Sequence, residues 1–202
     1  MQTTTESAIH IKKIERATID IEIVGTTSLI SHAWSQKAKQ MMLDKQQQVG
    51  RSSTKAAKAV RNPEADFEAS IYRLPDGTPG FPAVAFKSAM VDAARLYDGV
   101  KMTELRPALF VYGEGPESLV RIISDEPRMR EDMVRVGMGT ADLRYRAEFT
   151  NWSATLRLQY VPRMVSLESV VALLDAAGIG GVGEWRPSKG NTGTHGTFMV
   201  PL

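Results

Sequence analysis

Residues 153–200, SATLRLQYVPRMVSLESVVALLDAAGIGGVGEWRPSKGNTGTHGTFMV, decide the fold. The opening segment alternates. Ala154, Leu156, Leu158 and Tyr160 fall on one side, Thr155, Arg157 and Gln159 on the other, which is the period of a half-buried strand. Ser166 stands where an N-cap belongs, and Glu168 is placed to favour the helix dipole. Leu167, Val170, Val171 and Leu174 then form one apolar helical stripe. Gly178 closes the helix, a glycine-rich loop runs to Gly196, and THGTFMV (194–200) reads as a last strand.

Working towards the N-terminus, ATIDIEIV (17–24) alternates in the same way, with Ile19, Ile21 and Ile23 on one face. LPDGTPG (74–80) has turn chemistry, and Pro82 suits the first turn of a helix. Phe86, Met90, Ala93 and Tyr97 give that helix its apolar stripe, and Gly99 fits its C-terminal end. ALFVY (108–112) and SLVRII (118–123) flank a glycine turn and read as a β-hairpin. The order strand, helix, strand, strand, helix, strand predicts an α+β fold: a ferredoxin-like, RRM-like antiparallel sheet with two helices, a glycine-rich loop and large insertions. One domain over residues 1–202 is expected.

Two insertions interrupt this core. A basic, partly flexible one is expected at about 34–80. In it Trp34, Ala38, Met41, Met42 and Lys45 suggest a basic amphipathic helix, followed by a mobile polar segment at about 46–66. An arginine-rich arm at about 125–150 is expected to form an extended hairpin. Formal net charge is only +2, but its distribution is uneven. Trp34 to Arg61 holds seven basic residues against Asp44, a net of +6 and a footprint for a polyanion. Arg121 to Arg146 holds six arginines and no lysine, and arginine suits phosphate forks and base stacking.

Composition removes several classes. There is no cysteine, so disulfides, thiolate metal sites and a cysteine nucleophile are excluded. No stretch is apolar over the ~18 residues a membrane span needs, and Met1 to Ala8 lack the apolar region of a signal peptide. A cytoplasmic protein without a membrane partner is expected. His10, His32 and His195 have no partners at metal-ligand spacing, and no G-x-S-x-G occurs. His32 reads as a structural residue on a turn. No catalytic residue, metal or cofactor is expected. The formal G-x-G-x-x-G at Gly178, Gly180 and Gly183 follows a helix, whereas a dinucleotide fingerprint must precede one.

The glycine loop has two readings: a flexible surface loop, or a backbone cradle built from Gly178, Gly180, Gly181 and Gly183 that a partner approaches closely. Trp185, Arg186, Lys189 and His195 decorate it, and Arg144, Tyr145 and Arg146 again interleave cations with an aromatic. Trp185 reads equally well as a core anchor.

At this point the chain resembles the RAMP proteins, above all the backbone subunits of CRISPR effector complexes. IEIVGTTSLISHAW (21–34) is similar to their first strand and guide-contacting loop, and FPAVAFKSAMVDAAR (81–95) to their first helix, with Lys87 at its basic position. GIGGVGEWRPSKGNTGTHGTF (178–198) is similar to their glycine-rich loop, interrupted here by Trp185-Arg186-Pro187. Residues 125–150 occupy the place of their thumb. The chain also looks like small proteins encoded in phages and prophages. The first-strand loop lacks the Asp of target-cleaving members, so nuclease activity is not implied.

The resemblance implies a non-catalytic protein that binds single-stranded RNA or DNA and stacks head to tail into a filament, as a homo-oligomer or a ribonucleoprotein subunit. Phosphate contacts are expected from Lys37, Lys39, Lys45, Lys87, Arg130, Arg135, Arg144, Arg146, Arg186 and Lys189, and stacking from Trp34, Tyr145 and Trp185. Three alternatives stay open. One is a phage recombination protein that anneals strands. Another is a protein-interaction module or inhibitor mimicking a CRISPR backbone subunit. The last is an enzyme whose acid site forms only on folding.

Overall fold

A computed structural model describes residues 10–33, 43, 46, 61–136, 140–190 and 193–201. Its core is a four-stranded antiparallel sheet. β1 (Ala17–Gly25) lies at its centre and pairs with β9 (Ser153–Tyr160) from Ala17↔Tyr160 to Val24↔Ser153. β5 (Leu109–Tyr112) adds to the other side of β9, and β10 (Phe198–Met199) to the other side of β1. The spatial order β10-β1-β9-β5 is that of a ferredoxin-like βαββαβ unit.

The two core helices are α2 (Ala83–Ala93) and α4 (Leu167–Gly180). They cover the face that Ile21, Ile23, Ala154, Leu156 and Leu158 present, and Phe86, Met90, Val170 and Leu174 seal it. The opposite face stays polar, with Arg157 paired to Asp20 at 2.9 and 3.0 Å across the β1–β9 register. Ser166 caps α4 by accepting from the Ser169 amide at 3.2 Å. α2 stops at Ala93 and continues as a short 3-10 turn, Ala94–Leu96. Tyr97 thus leaves the predicted stripe and is 40 % exposed.

Trp152 locks the start of β9. Its ring is fully buried and packs edge-on to Phe198. Its indole N–H donates to the Thr27 carbonyl at 2.7 Å. Gly25 is required opposite, because a Cβ there would lie 2.1 Å from the indole nitrogen.

A second sheet projects beside this core. β7 (Arg128–Val136) and β8 (Thr140–Phe149) form a long hairpin, and β2 (Leu29–Ser31) pairs with the base of β8. α1 (Pro63–Ala69) lies against that hairpin. A third small sheet joins β3 (Tyr72–Arg73), β4 (Pro79–Pro82) and β6 (Leu119–Arg121).

Three expectations change, and one falls outside the described residues. Residues 61–66 were expected to be mobile, yet α1 begins at Pro63, because Asn62 accepts from the Ala65 amide at 3.1 Å and Glu64 and Asp66 favour the helix start. Most of the polar insertion, with the amphipathic helix expected at Trp34–Lys45, lies outside the described residues. A further helix, α3 (Met102–Ala108), precedes β5 with Leu105 and Ala108 buried. It is too short for a periodic signal. The glycine turn at Gly113–Pro116 does reverse the chain, with Glu114 bridging Leu119. The strands it joins nonetheless pair elsewhere, β5 with β9 and β6 with β4, so no two-stranded hairpin forms. Among the described residues no helix is long and apolar enough to cross a membrane.

Candidate nucleic-acid interface

The glycine loop leaves α4 at Gly181, whose φ of +67° takes the chain out of the helix. It then folds back over β2. The Glu184 amide donates to the Ile30 carbonyl at 3.0 Å, Gly196 N–H to Ser28 at 2.7 Å, and Val182 N–H to Gly196 at 2.9 Å. The glycines serve this internal contact. A Cβ on Gly178 would lie 1.8 Å from the Phe198 oxygen, and one on Gly183 would lie 2.6 Å from the Ile30 oxygen. Gly180 faces the Ser188 side chain. Of the cradle expected from Gly178, Gly180, Gly181 and Gly183, the protein's own chain thus fills the close approach at Gly178, Gly181 and Gly183. Gly196 combines φ +70° with a site where a Cβ would fall 1.8 Å from the Val182 oxygen. Gly196→Ala is expected to cost about 3 kcal/mol from strain and overpacking. Urea titration of the variant checks this.

Side chains fasten the loop to the hairpin. Asp132, only 5 % exposed on β7, is the hub. It accepts from Arg130 Nε at 2.7 Å, Arg146 Nη1 at 3.0 Å and Trp185 Nε1 at 3.1 Å. Burial alone would raise the Asp132 carboxyl, but these donors together hold it below the ordinary aspartate range. Arg146 also lies 3.6 Å from Glu184, which Lys189 pairs in turn. A second chain of contacts runs alongside. Ser28 donates to Glu148 at 2.6 Å, Glu148 lies 3.7 Å from Arg130, and the His195 ring stands between Ser28 and Arg130.

Outside this fastening lies a groove of about 1120 Å³ between α1, the hairpin and the glycine loop. Arg61, Arg135, Arg144, Arg146 and Lys189 line it against Asp66, Asp142 and Glu184, a net of +2, and Tyr145 and Trp185 add aromatic surface. Arg135 is exposed on the β7 arm. Arg144 is part-exposed, paired with Asp142 at 3.7 Å and close to His32 Nε2 at 3.2 Å. Tyr145 shares a hydrogen bond with Glu131.

The expected contact residues separate accordingly. Arg135, Arg144, Tyr145, Trp185 and Lys189 come together in the groove. Arg146 lines it as well, at 3 % exposed, with its Nη1 committed to Asp132. Trp185 is held by its bond to Asp132, and Arg130 is committed to Asp132. Arg186 turns inward and donates to the Gly183 carbonyl at 2.7 Å. Lys87 is elsewhere, its ammonium 4.5 Å from the centre of the Phe110 ring on β5. Trp34, Lys37, Lys39 and Lys45 lie outside the described residues. His32, which the sequence pattern gives as structural, and Arg61, which it does not mark as a contact, also line the groove. Long-range pairing brings both to the groove, and neither spacing nor periodicity carried that signal.

No family model matches the chain, and no curated protein matches it. Among solved structures it is similar to a chain in the cryo-EM structure of the Type III-B Cmr-beta bound to cognate target RNA. The TM-score there is 0.50 at 10 % identity, over 93 % of this chain and 59 % of that one. The fold is RAMP-like. The chain thus spans somewhat over half the length of that neighbour. It is also similar to Cmr6 from Pyrococcus furiosus, with a TM-score of 0.47 at 11 % identity, over 93 % of this chain and 98 % of that one. Within the RAMP-like fold, the β7–β8 hairpin and the glycine loop are the parts that build the groove.

Proposed function

We infer that this protein binds single-stranded nucleic acid without catalysing a reaction, and that copies assemble along the strand as a helical filament or multimer in the cytoplasm. The observation that carries the reading is the groove itself. It brings Arg135, Arg144 and Lys189 together with Tyr145 and Trp185 around the hairpin. Cations of this kind meet a phosphate chain, and aromatic faces take bases without regard to sequence. The RAMP-like fold supports an arm-and-loop binding mode, and the small net charge of the chain makes this local cluster stand out.

Light scattering coupled to size exclusion tests it, with labelled RNA or DNA of ~40 nucleotides, enough for several binding sites of single-strand proteins. Large particles with one polymer are the expected result, and they also choose between RNA and DNA. A monomer that ignores both overturns the reading. Lys87 gives a control on the location. Lys87→Ala is expected to leave affinity within about twofold of wild type, because its ammonium sits on Phe110 away from the groove. Fluorescence anisotropy measures this.

A further inference from the structure

Two buried side-chain nitrogens lack a hydrogen-bond partner among the described residues: His32 Nδ1 and Arg146 Nε. Both side chains line the same groove. Among the described residues these are the two such buried atoms, so the coincidence needs a cause.

Both atoms are donors. A guanidinium only donates, so Arg146 Nε–H needs an acceptor. Arg146 spends its Nη1 on Asp132 at 3.0 Å and sets Nη2 3.6 Å from Glu184, leaving Nε over. His32 is settled by its neighbour. Arg144 Nη1 lies 3.2 Å from His32 Nε2 and can only donate, so Nε2 accepts. Burial, with Arg146 and Arg144 close by, holds the imidazole below its ordinary range, so at neutral pH the ring carries one proton. That proton is on Nδ1.

Two residues that line the groove therefore each hold a buried unmet donor, in a setting where cations outnumber carboxylates five to three. An unmet buried donor is costly, and an oxyanion removes the cost at both atoms at once. A carbonyl offers one oxygen and no charge, whereas a phosphate offers several oxygens and a charge that suits the surplus of cations.

We propose that the inner end of the groove is a phosphate subsite, in which non-bridging oxygens of one phosphate accept from His32 Nδ1–H and Arg146 Nε–H. For the bound strand this is a backbone phosphodiester, and that identification rests on the nucleic-acid reading above. A free phosphate or nucleoside monophosphate offers the same chemistry. Arg146 acts as a strut on its Asp132 side and as a ligand through Nε.

The test uses the full chain. Long-range nitrogen–proton spectra follow the His32 ring while inorganic phosphate, uridine monophosphate or a short single-stranded oligonucleotide is added. The expected result is a proton on Nδ1 that moves downfield with the oligonucleotide. Binding is measured in parallel for His32→Phe, which keeps a ring without a donor, and for His32→Asn, whose amide N–H takes the place of Nδ1–H. His32→Phe is expected to weaken binding about tenfold, the loss of one hydrogen bond to a charged group, and His32→Asn to restore most of it. The salt dependence stays unchanged in both, because a neutral ring releases no counterion. A purely structural role would not give rescue with an unchanged slope.

If wild type binds the strand but the Nδ1 proton does not move and His32→Phe binds equally well, the subsite is wrong and the nucleic-acid reading stands. If the proton moves with phosphate or the monophosphate but no strand binds, the subsite stands and the nucleic-acid reading falls. If nothing moves it and nothing binds, both are overturned. The wild-type spectra decide these cases even where His32→Phe does not fold.

Discussion

Asp132→Ala is expected to cost about 3–5 kcal/mol of stability, the size found when one partner of a buried ion pair is removed. Asp132 and Arg146 are 5 % and 3 % exposed, and their pairing joins β7 to β8 at 3.0 Å. The same carboxylate holds Arg130 and the Trp185 indole. Its loss leaves the Arg146 charge buried with only Glu184 at 3.6 Å. For a chain of this size the change corresponds to a fall in Tm of about 10 °C. Replacing Asp132 and Arg146 together with apolar residues of similar volume is expected to recover most of the loss, since no charge is then stranded. Guanidinium titrations of the single and double variants check both statements. A double variant as unstable as Asp132→Ala would show that the pair is not the cause.

The same hub sets an acid limit. The Asp132 carboxyl is held below its ordinary value in the folded protein. Its contribution is therefore full above the unfolded aspartate value and is lost as pH falls through the depressed folded value. Acid titration of wild type should show a loss of stability in that window, and Asp132→Asn should lack that component.

Arg135→Ala, Arg144→Ala and Lys189→Ala combined are expected to weaken single-strand binding by about 100-fold at low salt. They should also reduce the slope of log affinity against log salt by about 2, from roughly 0.7 per phosphate contact. The three cations line one groove yet come from β7, β8 and the glycine loop, and none is fully buried. Losing them leaves the Asp132 hub intact, so circular dichroism should stay native. Anisotropy titrations at several salt concentrations measure both quantities. A slope equal to that of wild type would place the phosphate contacts elsewhere.

The sequence by itself determined the core. Alternation in Ile19–Ile23 and Ala154–Tyr160 fixes which face of each strand is buried, because a one-residue slip would turn every apolar side chain to water. Ser166 and the apolar stripe behind it fix α4 in the same local way. From these the βαββαβ order follows. Short elements were less legible. α1 rests on its Asn62 cap and acidic first turn, and the partners of β5 and β6 depend on residues far along the chain.

Only the tertiary structure decided what the cations do. Arg144 and Arg146 are two residues apart on β8, so both side chains leave the same face of the strand, yet they meet different neighbours there. One ends part-exposed beside His32 and the other ends buried on Asp132. The glycines divide on the same ground. Their composition permits an open cradle or a close internal fit, and the approach of β2 and Phe198 chooses the fit. Burial and partner choice are sums over residues distant in the chain, which local pattern does not encode. The hydrophobic period is local, so the sequence displays it directly.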